Sequence, residues 1–505
     1  MKKLVLLVVT AFCMSNLIAQ NATDALLYSQ DNIQGTARYR ALSGAFGALG
    51  GDLSAISSNP AGAAVFSRSH ASFTLSSLSK DNTTSYRNTN NSSSDYKIDI
   101  NQAGATFVFK NRNESDAWQK FVFSIAYDKT SNYDNNWTAS GQNNKSIDRY
   151  FLAYANGLRL DEISAFEDET ISEAYADIGA FYGYANQQAF LGYESFILEP
   201  KADTNDNTMY TSNIADGTFN QRYDYIATGY NGKFSFNAAT QYGDKLYLGL
   251  NLNTHFINYE RFTFLEESNS NEGSTVTNVG FQNNLLTIGN GFSFQLGAIL
   301  KVTPSLRAGV TYNSPTWFTI LEETSQSIST DLIDDSGGFS TFINPNTINI
   351  FPSYRLQSPS KITGSLAYVF GTQGLISFDY SRRDYSNTKF KPTSDAYFAS
   401  QNTAINDLFT ASNTYRVGAE YVIKQLSFRG GYRFEESPYA DASFDGDLTG
   451  YSFGLGYNLG SLKIDLTYDE SQRNTSSQLY DVGLTDTALV DTKNANVTLS
   501  LGFTL

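Results

Sequence analysis

Along most of the chain beyond Ser69, apolar and polar residues alternate at every step. In the last segment Val497, Leu499, Leu501, Phe503 and Leu505 share one face, and Thr498, Ser500 and Thr504 share the other. Tyr451, Phe453, Leu455, Tyr457 and Leu459 oppose Ser452, Gly454, Gly456 and Asn458 in the same way. So do Leu462, Ile464, Leu466 and Tyr468 against Lys463, Asp465 and Thr467. Successive strand side chains point to opposite faces, so a period of two predicts strands with one apolar and one polar side. About fourteen such strands are predicted: 69–78, 100–109, 119–129, 225–241, 244–264, 280–302, 305–321, 353–370, 374–386, 411–424, 426–436, 449–459, 461–473 and 494–505.

The connections alternate too. Tyr242-Gly-Asp-Lys245, Thr303-Pro304, Gly371-Thr-Gln-Gly374, Lys424-Gln425 and Gly460-Ser461 are tight. Between them lie long polar stretches at 79–99, 322–352, 387–410 and 474–492. Short turns on one rim and long loops on the other characterise outer-membrane β-barrels, whose short turns face the periplasm. Charges decide which face meets lipid. Arg307, Asp379, Arg383, Arg416, Glu420, Arg429, Arg433, Glu435 and Asp465 all lie on polar faces. An Arg or Lys facing lipid at mid-membrane costs about 2–4 kcal/mol, so these faces line an interior. Backbone groups left unpaired in hydrocarbon are also costly, which requires a closed wall without edges. The fold class is therefore all-β: a transmembrane antiparallel barrel of about fourteen strands.

Residues 130–224 break the pattern. Ile163, Phe166, Ile171, Tyr175 and Ile178 recur mostly every three to five residues, a spacing that predicts amphipathic helices. The rim count makes this stretch an extracellular helical insert, either a packed cap or a hydrophobic landing surface for ligand.

Composition agrees with a barrel. Charged residues are 17%, against about 25% in soluble domains. The aromatics are almost all Phe (36) and Tyr (33). Beyond the N-terminus no apolar run is long enough for a transmembrane helix. Lys2 and Lys3 precede the short apolar core Leu4–Phe12, which predicts a secretory signal peptide over 1–19, cut after Ala19. The single cysteine, Cys13, lies inside it, so the mature chain has no disulfide, thiolate metal site or cysteine nucleophile. The net charge of −15 speaks against nucleic acid as a partner.

Other chemistry is sparse. His70 and His255 are the only histidines, one opening the first strand and one within the fifth. They give little support for a hemin site. Asp161-Glu162 and Glu167-Asp168-Glu169 suit a solvated helix face, and Asp334-Asp335 a turn. No nucleophile–base arrangement is identifiable, so neither catalysis, cofactor nor metal is expected.

The lead into the first strand reads "GALGGDLSAISSNPAGAAVFS" (47–67). The spacing of Gly44, Gly47, Gly50 and Gly51 mimics a phosphate loop, but no strand precedes it in a βαβ unit. A linker would be more polar. A plug fits, since a barrel of about fourteen strands has a lumen too wide for side chains alone to fill. The domains are then signal peptide 1–19, hatch 20–68 and barrel 69–505.

The sequence "SSNPAGAA" (57–64), after its Gly/Ala-rich lead and directly before the first strand, resembles the Asn-Pro-Ala motif of the FadL/TodX/OMPP1 family. These are outer-membrane transporters of long-chain fatty acids and other hydrophobic compounds. The resemblance implies a fourteen-stranded barrel with an N-terminal hatch carrying Asn59, Pro60 and Ala61. It implies capture of ligand by outer loops, a pocket inside the barrel, a shift of the hatch, and lateral release through the wall. In that family a kink in the third strand makes the gap; here that strand, "QKFVFSIAYDK" (119–129), has neither Gly nor Pro. The helical insert also comes early in the chain.

Phe46, Leu49, Leu53, Ile56 and Phe66 are candidates for an apolar pocket beneath the hatch. Arg416 and Arg429, with Arg307 and Arg433, are candidates for holding a ligand carboxylate, unless they pair with Glu420, Glu435 and Asp465. The expected function is passive uptake of hydrophobic small molecules, fatty acids by default. The setting is the outer membrane of a Gram-negative bacterium, where the protein would act as a monomer among lipid and lipopolysaccharide. A structural, adhesive or hemin-binding barrel is the alternative.

Overall fold

A computed structural model describes residues 21–113, 116–334 and 337–505. The expected signal peptide with Cys13, and Asp335, lie outside the described residues. Fourteen antiparallel strands close into a barrel. They are β1 (His70–Tyr86), β2 (Thr89–Lys110), β3 (Trp118–Asn132, continued as Asn135–Asn143) and β4 (Phe219–Tyr242). Next come β5 (Leu246–Ser268), β6 (Val276–Lys301), β7 (Leu306–Asn313, continued as Trp317–Asp334) and β8 (Tyr354–Gln357, continued as Lys361–Val369). The last six are β9 (Gly374–Asp384), β10 (Ala411–Ile423), β11 (Leu426–Glu435), β12 (Leu448–Asn458), β13 (Leu462–Gln478) and β14 (Thr487–Thr504). β14 pairs with β1 from Leu489↔Ser85 to Thr504↔His70, which closes the ring.

Strand alternation sets the two faces. On β12, Tyr451, Phe453, Leu455 and Tyr457 are exposed, while Ser452 is buried. Arg429 of β11 bonds both Glu420 and Asp465 from neighbouring strands, so its face looks inward. The outward apolar band matches the lipid-facing belt of an outer-membrane barrel.

Several predicted loops are strand instead. The stretch 79–99 is the upper half of the β1–β2 hairpin, turned at Arg87 and Asn88 with φ of 45° and 64°. Two successive positive φ values give a turn whose twist matches the strands. Much of 322–352 and 474–492 likewise extends β7, β13 and β14. The stretch 387–410 carries a helix, Ala396–Leu408.

Where strands run past the apolar band, the apolar face changes sides. On β5, Leu248, Leu250 and Leu252 are exposed outward, but higher up Ile257, Tyr259 and Leu265 are buried inward. β6 does the same, with Leu296, Phe292 and Ile288 outside and Leu285, Phe281 and Val279 inside. A strand in lipid buries its polar side, and one in water buries its apolar side. Of these inward residues, Ile257, Tyr259 and Leu285 pack lower down with Ala22, Leu26 and Tyr28. The uppermost, Leu265, Val279 and Phe281, form a core with three helices of the 130–224 stretch: Asp148–Ala155, Ile171–Phe181 and Tyr184–Glu194. Ile163, Tyr175 and Ile178 are buried there, Ile171 packs against them, and Phe166 is exposed.

Candidate functional site

The segment before β1 is enclosed by the wall. Its helices are α1 (Ala22–Ser29), α2 (Ala37–Ala41) and α3 (Ala55–Ser58), followed by a 3₁₀ turn at Pro60–Val65. α1 sits highest. Tyr28 donates to Thr287 Oγ1 (3.0 Å) and meets Tyr133 and Tyr259 edge-on, while Asp24 pairs with Arg261 at 3.1 Å. Lower down, α2 docks on the C-terminal strands. Its Ala37 N–H donates to Ser500, its Ala37 carbonyl accepts from Thr467, and its Ala41 carbonyl accepts from Ser452.

Two arginines fix α2 to the wall. Arg40 makes two bonds to Asp469, at 2.7 and 2.8 Å. Arg38 bonds both oxygens of Glu420, which Arg429 also holds while reaching Asp465 at 2.6 Å. Arg429 is thus committed to two carboxylates. Arg416 and Arg433 approach Glu435 at 3.7 and 3.5 Å.

Asn59 is fully buried and bonds in three directions. Its Oδ1 accepts from the Ala61 N–H (3.1 Å), capping the 3₁₀ turn that Pro60 opens. Pro suits the first helical position because that N–H has no partner within the helix. The Asn59 amide donates to the carbonyls of Gly47 (2.7 Å) and Ala298 (3.1 Å). The wall gives way at this point. A Cβ on Gly249 would lie 2.3 Å from the Pro60 carbonyl carbon, and one on Gly297 would lie 2.0 Å from Asn59 Oδ1. The small residues of the lead and the glycines of the wall are two halves of one close backbone contact.

The five apolar candidates pack against the wall. Phe46 and Leu49 join Ala367 and Leu375; Leu53 and Ile56 join Val122, Ala126 and Ile299. Phe66 stacks on His70 at 5.3 Å. None of the five lines either cavity described next.

The first cavity, about 110 Å³, lies between residues 28–39 and the wall. Lys233, Lys361, Arg383 and Arg416 border it, against Asp31 and Asp128, with Phe294 and Phe318 on another side. His255 borders it as well and bonds Ser293 at 2.8 Å. Among the described residues no cluster of three or more His, Cys, Asp or Glu could hold a metal ion.

The second cavity, about 100 Å³, lies behind a break in the wall. β2 pairs with β3 only from Lys110↔Lys120 to Gln102↔Asp128. Beyond that rung, Asn135–Asn143 pairs with β4 alone. Its contacts with β1 and β2 run through side chains. Ser93 and Asn82 donate to the Asn136 carbonyl, Asn91 to Ser140 Oγ, and Lys80 to the Asp134 carbonyl. Two ion pairs complete the seam: Lys97–Asp134 at 2.9 Å, and Lys129–Asp99. The β2 edge from Thr89 to Asn101 therefore has no backbone partner on this side among the described residues. Its outward Tyr96, Ile98 and Ile100 are exposed. Unpaired backbone at membrane depth persists only beside protein or a watered cavity.

The break needs no Gly or Pro in β3. Asn132 Oδ1 accepts from the Asp134 N–H (2.8 Å), which turns the chain. Tyr133 N–H donates to the carbonyl of Gly229 on β4, and Gly229 N–H donates to Asp134. Gly229 has φ +122° and a Cβ there would lie 2.1 Å from the Asn258 carbonyl oxygen, so the glycine that makes the break belongs to the neighbouring strand. The enclosed segment also holds this place: Asn32 N–H donates to the Thr130 carbonyl, and Ser131 donates to the Gln30 carbonyl.

A closed barrel with an apolar outer belt, an ionic inner face and an occupied lumen defines an outer-membrane channel. Residues 202–504 match the family model described as outer membrane protein transport protein (OMPP1/FadL/TodX). The chain belongs to this family, whose members are transport channels of the Gram-negative outer membrane for hydrophobic compounds and not enzymes. The Asn-Pro-Ala motif lies outside the matched residues. A FadL homologue of Pseudomonas aeruginosa shares the fold, with TM-score 0.56 and 12% identity over 94% of this chain and 99% of that one. The toluene transporter TodX of Pseudomonas putida does too, with TM-score 0.51 and 13% identity over 94% and 100%. No curated protein matches the sequence.

Proposed function

We propose that the chain carries long-chain fatty acids passively across the outer membrane, with residues 20–68 as the hatch. The short-turn rim faces the periplasm and the helical cap faces outside. Exposed Phe166, Phe181, Tyr182, Phe196 and Met209 on the cap collect the acyl chain. An apolar surface of this kind on the outer side is a docking area for apolar molecules. The first cavity takes the carboxylate, with Arg416 among its cations.

At about 110 Å³ that cavity is smaller than the roughly 300–1,000 Å³ of ordinary ligand sites. The acyl tail enters only when residues 28–39 move. Movement there reaches β3 directly through the bonds of Gln30 and Asn32 to Ser131 and Thr130. Cargo then leaves sideways past the unpaired edge of β2. Phe46, Leu49, Leu53, Ile56, Asn59, Pro60, Ala61 and Phe66 seat the hatch, and Arg429 holds its ionic anchor.

The observation that carries this reading is the β2 edge, which loses its backbone partner beside a cavity reaching from Arg40 and Asp469 in the lumen to Tyr96 outside. Uptake of labelled oleate tests it, in a Gram-negative host lacking its own fatty-acid channel. Expression of the protein should restore uptake. Cysteines at Asn91 and Ser140, whose side chains are 3.0 Å apart, should abolish it once joined by a disulfide or a short bis-thiol linker. Unchanged uptake after joining would refute lateral exit.

A further inference from the structure

We propose that the seam between β2 and β3 is shut by a two-pair ionic latch, Lys129–Asp99 and Lys97–Asp134, which the carboxylate of the cargo opens by exchange. The inference rests on lateral exit as read above.

Lys129 follows Asp128, the last β3 residue to share a rung with β2, and reaches across to Asp99. By alternation Lys129 belongs to the outward face of β3. Its side chain is nevertheless 2% exposed, lying over the Tyr230 ring at 5.3 Å and against Asp99. A lysine of outward phase at the edge of the apolar band is a poor choice for a wall that meets lipid. It is a good choice for filling a gap that the ladder leaves open. Lys97, further along the same edge, pairs with Asp134 at the turn where β3 leaves the wall, and Lys80 donates to the Asp134 carbonyl. Wherever backbone rungs are missing here, side chains that can let go replace them.

An ammonium taken from its carboxylate in a buried place needs another anion at once. A cargo carboxylate presents the same charge and the same acceptor oxygens as Asp99. Exchange therefore keeps the buried ammonium paired and releases only the Asp99 carboxylate, which is partly open to solvent, whereas a neutral cargo must part the pair and leave the buried ammonium bare. Lys129 also borders the first cavity, whose Lys233, Lys361, Arg383 and Arg416 favour an anion. The latch thus stands next to the place where a carboxylate waits.

The test compares labelled oleate with labelled methyl oleate, which has the same chain without the charge. The host is the one above, and folding is checked by heat-modifiable gel mobility. The double variant Lys97→Met, Lys129→Met leaves no pair for a neutral cargo to part, so methyl oleate uptake should rise at least tenfold while oleate stays within threefold of the wild type. The swap Lys129→Asp with Asp99→Lys rebuilds the pair and should keep the ratio of the two probes within threefold of the wild type. An unchanged ratio of the two probes in the double variant would overturn the latch, and so would a failed swap in a folded barrel. The Asn91→Cys, Ser140→Cys crosslink separates the two ideas. If it blocks both probes while the lysine variants keep the wild-type ratio, lateral exit stands and the latch falls. If both probes pass the crosslinked protein, lateral exit itself is wrong.

Discussion

Replacing Asn59 by Ala removes the side chain that ties the lumen segment to itself and to β6. Two losses can be sized. The cap on Ala61 N–H is worth about 1 kcal/mol. The buried Gly47 carbonyl loses the Asn59 amide as its donor, at a cost of about 1–3 kcal/mol. Together these give about 2–4 kcal/mol against the seated segment and nothing against the wall ladders. At 1.4 kcal/mol per factor of ten, the displaced form should rise roughly 30- to 700-fold. Hydrogen–deuterium exchange in detergent micelles reads this directly. Amides of residues 36–66 should exchange faster by that factor, while those of β12 and β13 stay as they are. Asn59→Asp keeps the acceptor for Ala61 but turns a carboxylate oxygen toward the Gly47 and Ala298 carbonyls, so it should loosen the segment at least as much as Asn59→Ala. Protection of 36–66 within threefold of the wild type would refute the reasoning. Equal loss in the wall strands would also refute it, since Asn59 would then be acting on the barrel.

Gly249→Ala places a methyl 2.4 Å from the Ala61 nitrogen, a backbone atom that cannot swing away, so residues 59–62 should lose protection in the same exchange experiment. Glu267 gathers Ser146, the Ile147 N–H and Gln221 around one carboxylate. Glu267→Gln turns an amide toward those donors at a cost of about 1–3 kcal/mol, and trypsin should then cut at Arg149 while the barrel stays intact. Burial lifts the carboxyl of Asp445 to about 6, against the pull of Arg473, from an ordinary 3.8. The folded state then holds this proton where the unfolded chain has lost it. Its contribution is full below about pH 4, falls as pH rises through about 6, and amounts to about 3 kcal/mol at most. Asp445→Asn should flatten the urea midpoint between pH 4 and 7, and an unchanged slope would show that other groups set it.

The strands of the wall were legible because lipid outside and ions inside give each residue pair an unambiguous sign. The predicted loop at 79–99 became strand because over 82–94 both faces of the β1–β2 hairpin are almost all Ser, Thr and Asn, which leaves little contrast to read. The change of apolar face was present in the sequence. On β5 the apolar positions pass from even numbers (Leu248, Leu250, Leu252) to odd ones (Ile257, Tyr259, Leu265), and that switch marks the end of the membrane belt. The break in β3 was hidden for a different reason. Its glycine is Gly229, nearly a hundred residues away on β4, so no inspection of β3 alone could find it. Arg416 and Arg429 looked alike as cations of the inner face. Only the neighbours across the strands show that one borders a cavity and the other is spent on Glu420 and Asp465.

The docking of α2 has a bearing on assembly. Its anchors at Ser452, Thr467, Asp469 and Ser500 belong to the last strands the ribosome delivers, although α2 is among the first segments made. Once β14 zips onto β1 the cylinder is sealed, and a stretch of folded chain cannot be threaded in from outside. The head of the polypeptide must therefore wait unseated until its tail arrives, and insertion and stoppering become a single terminal event of biogenesis.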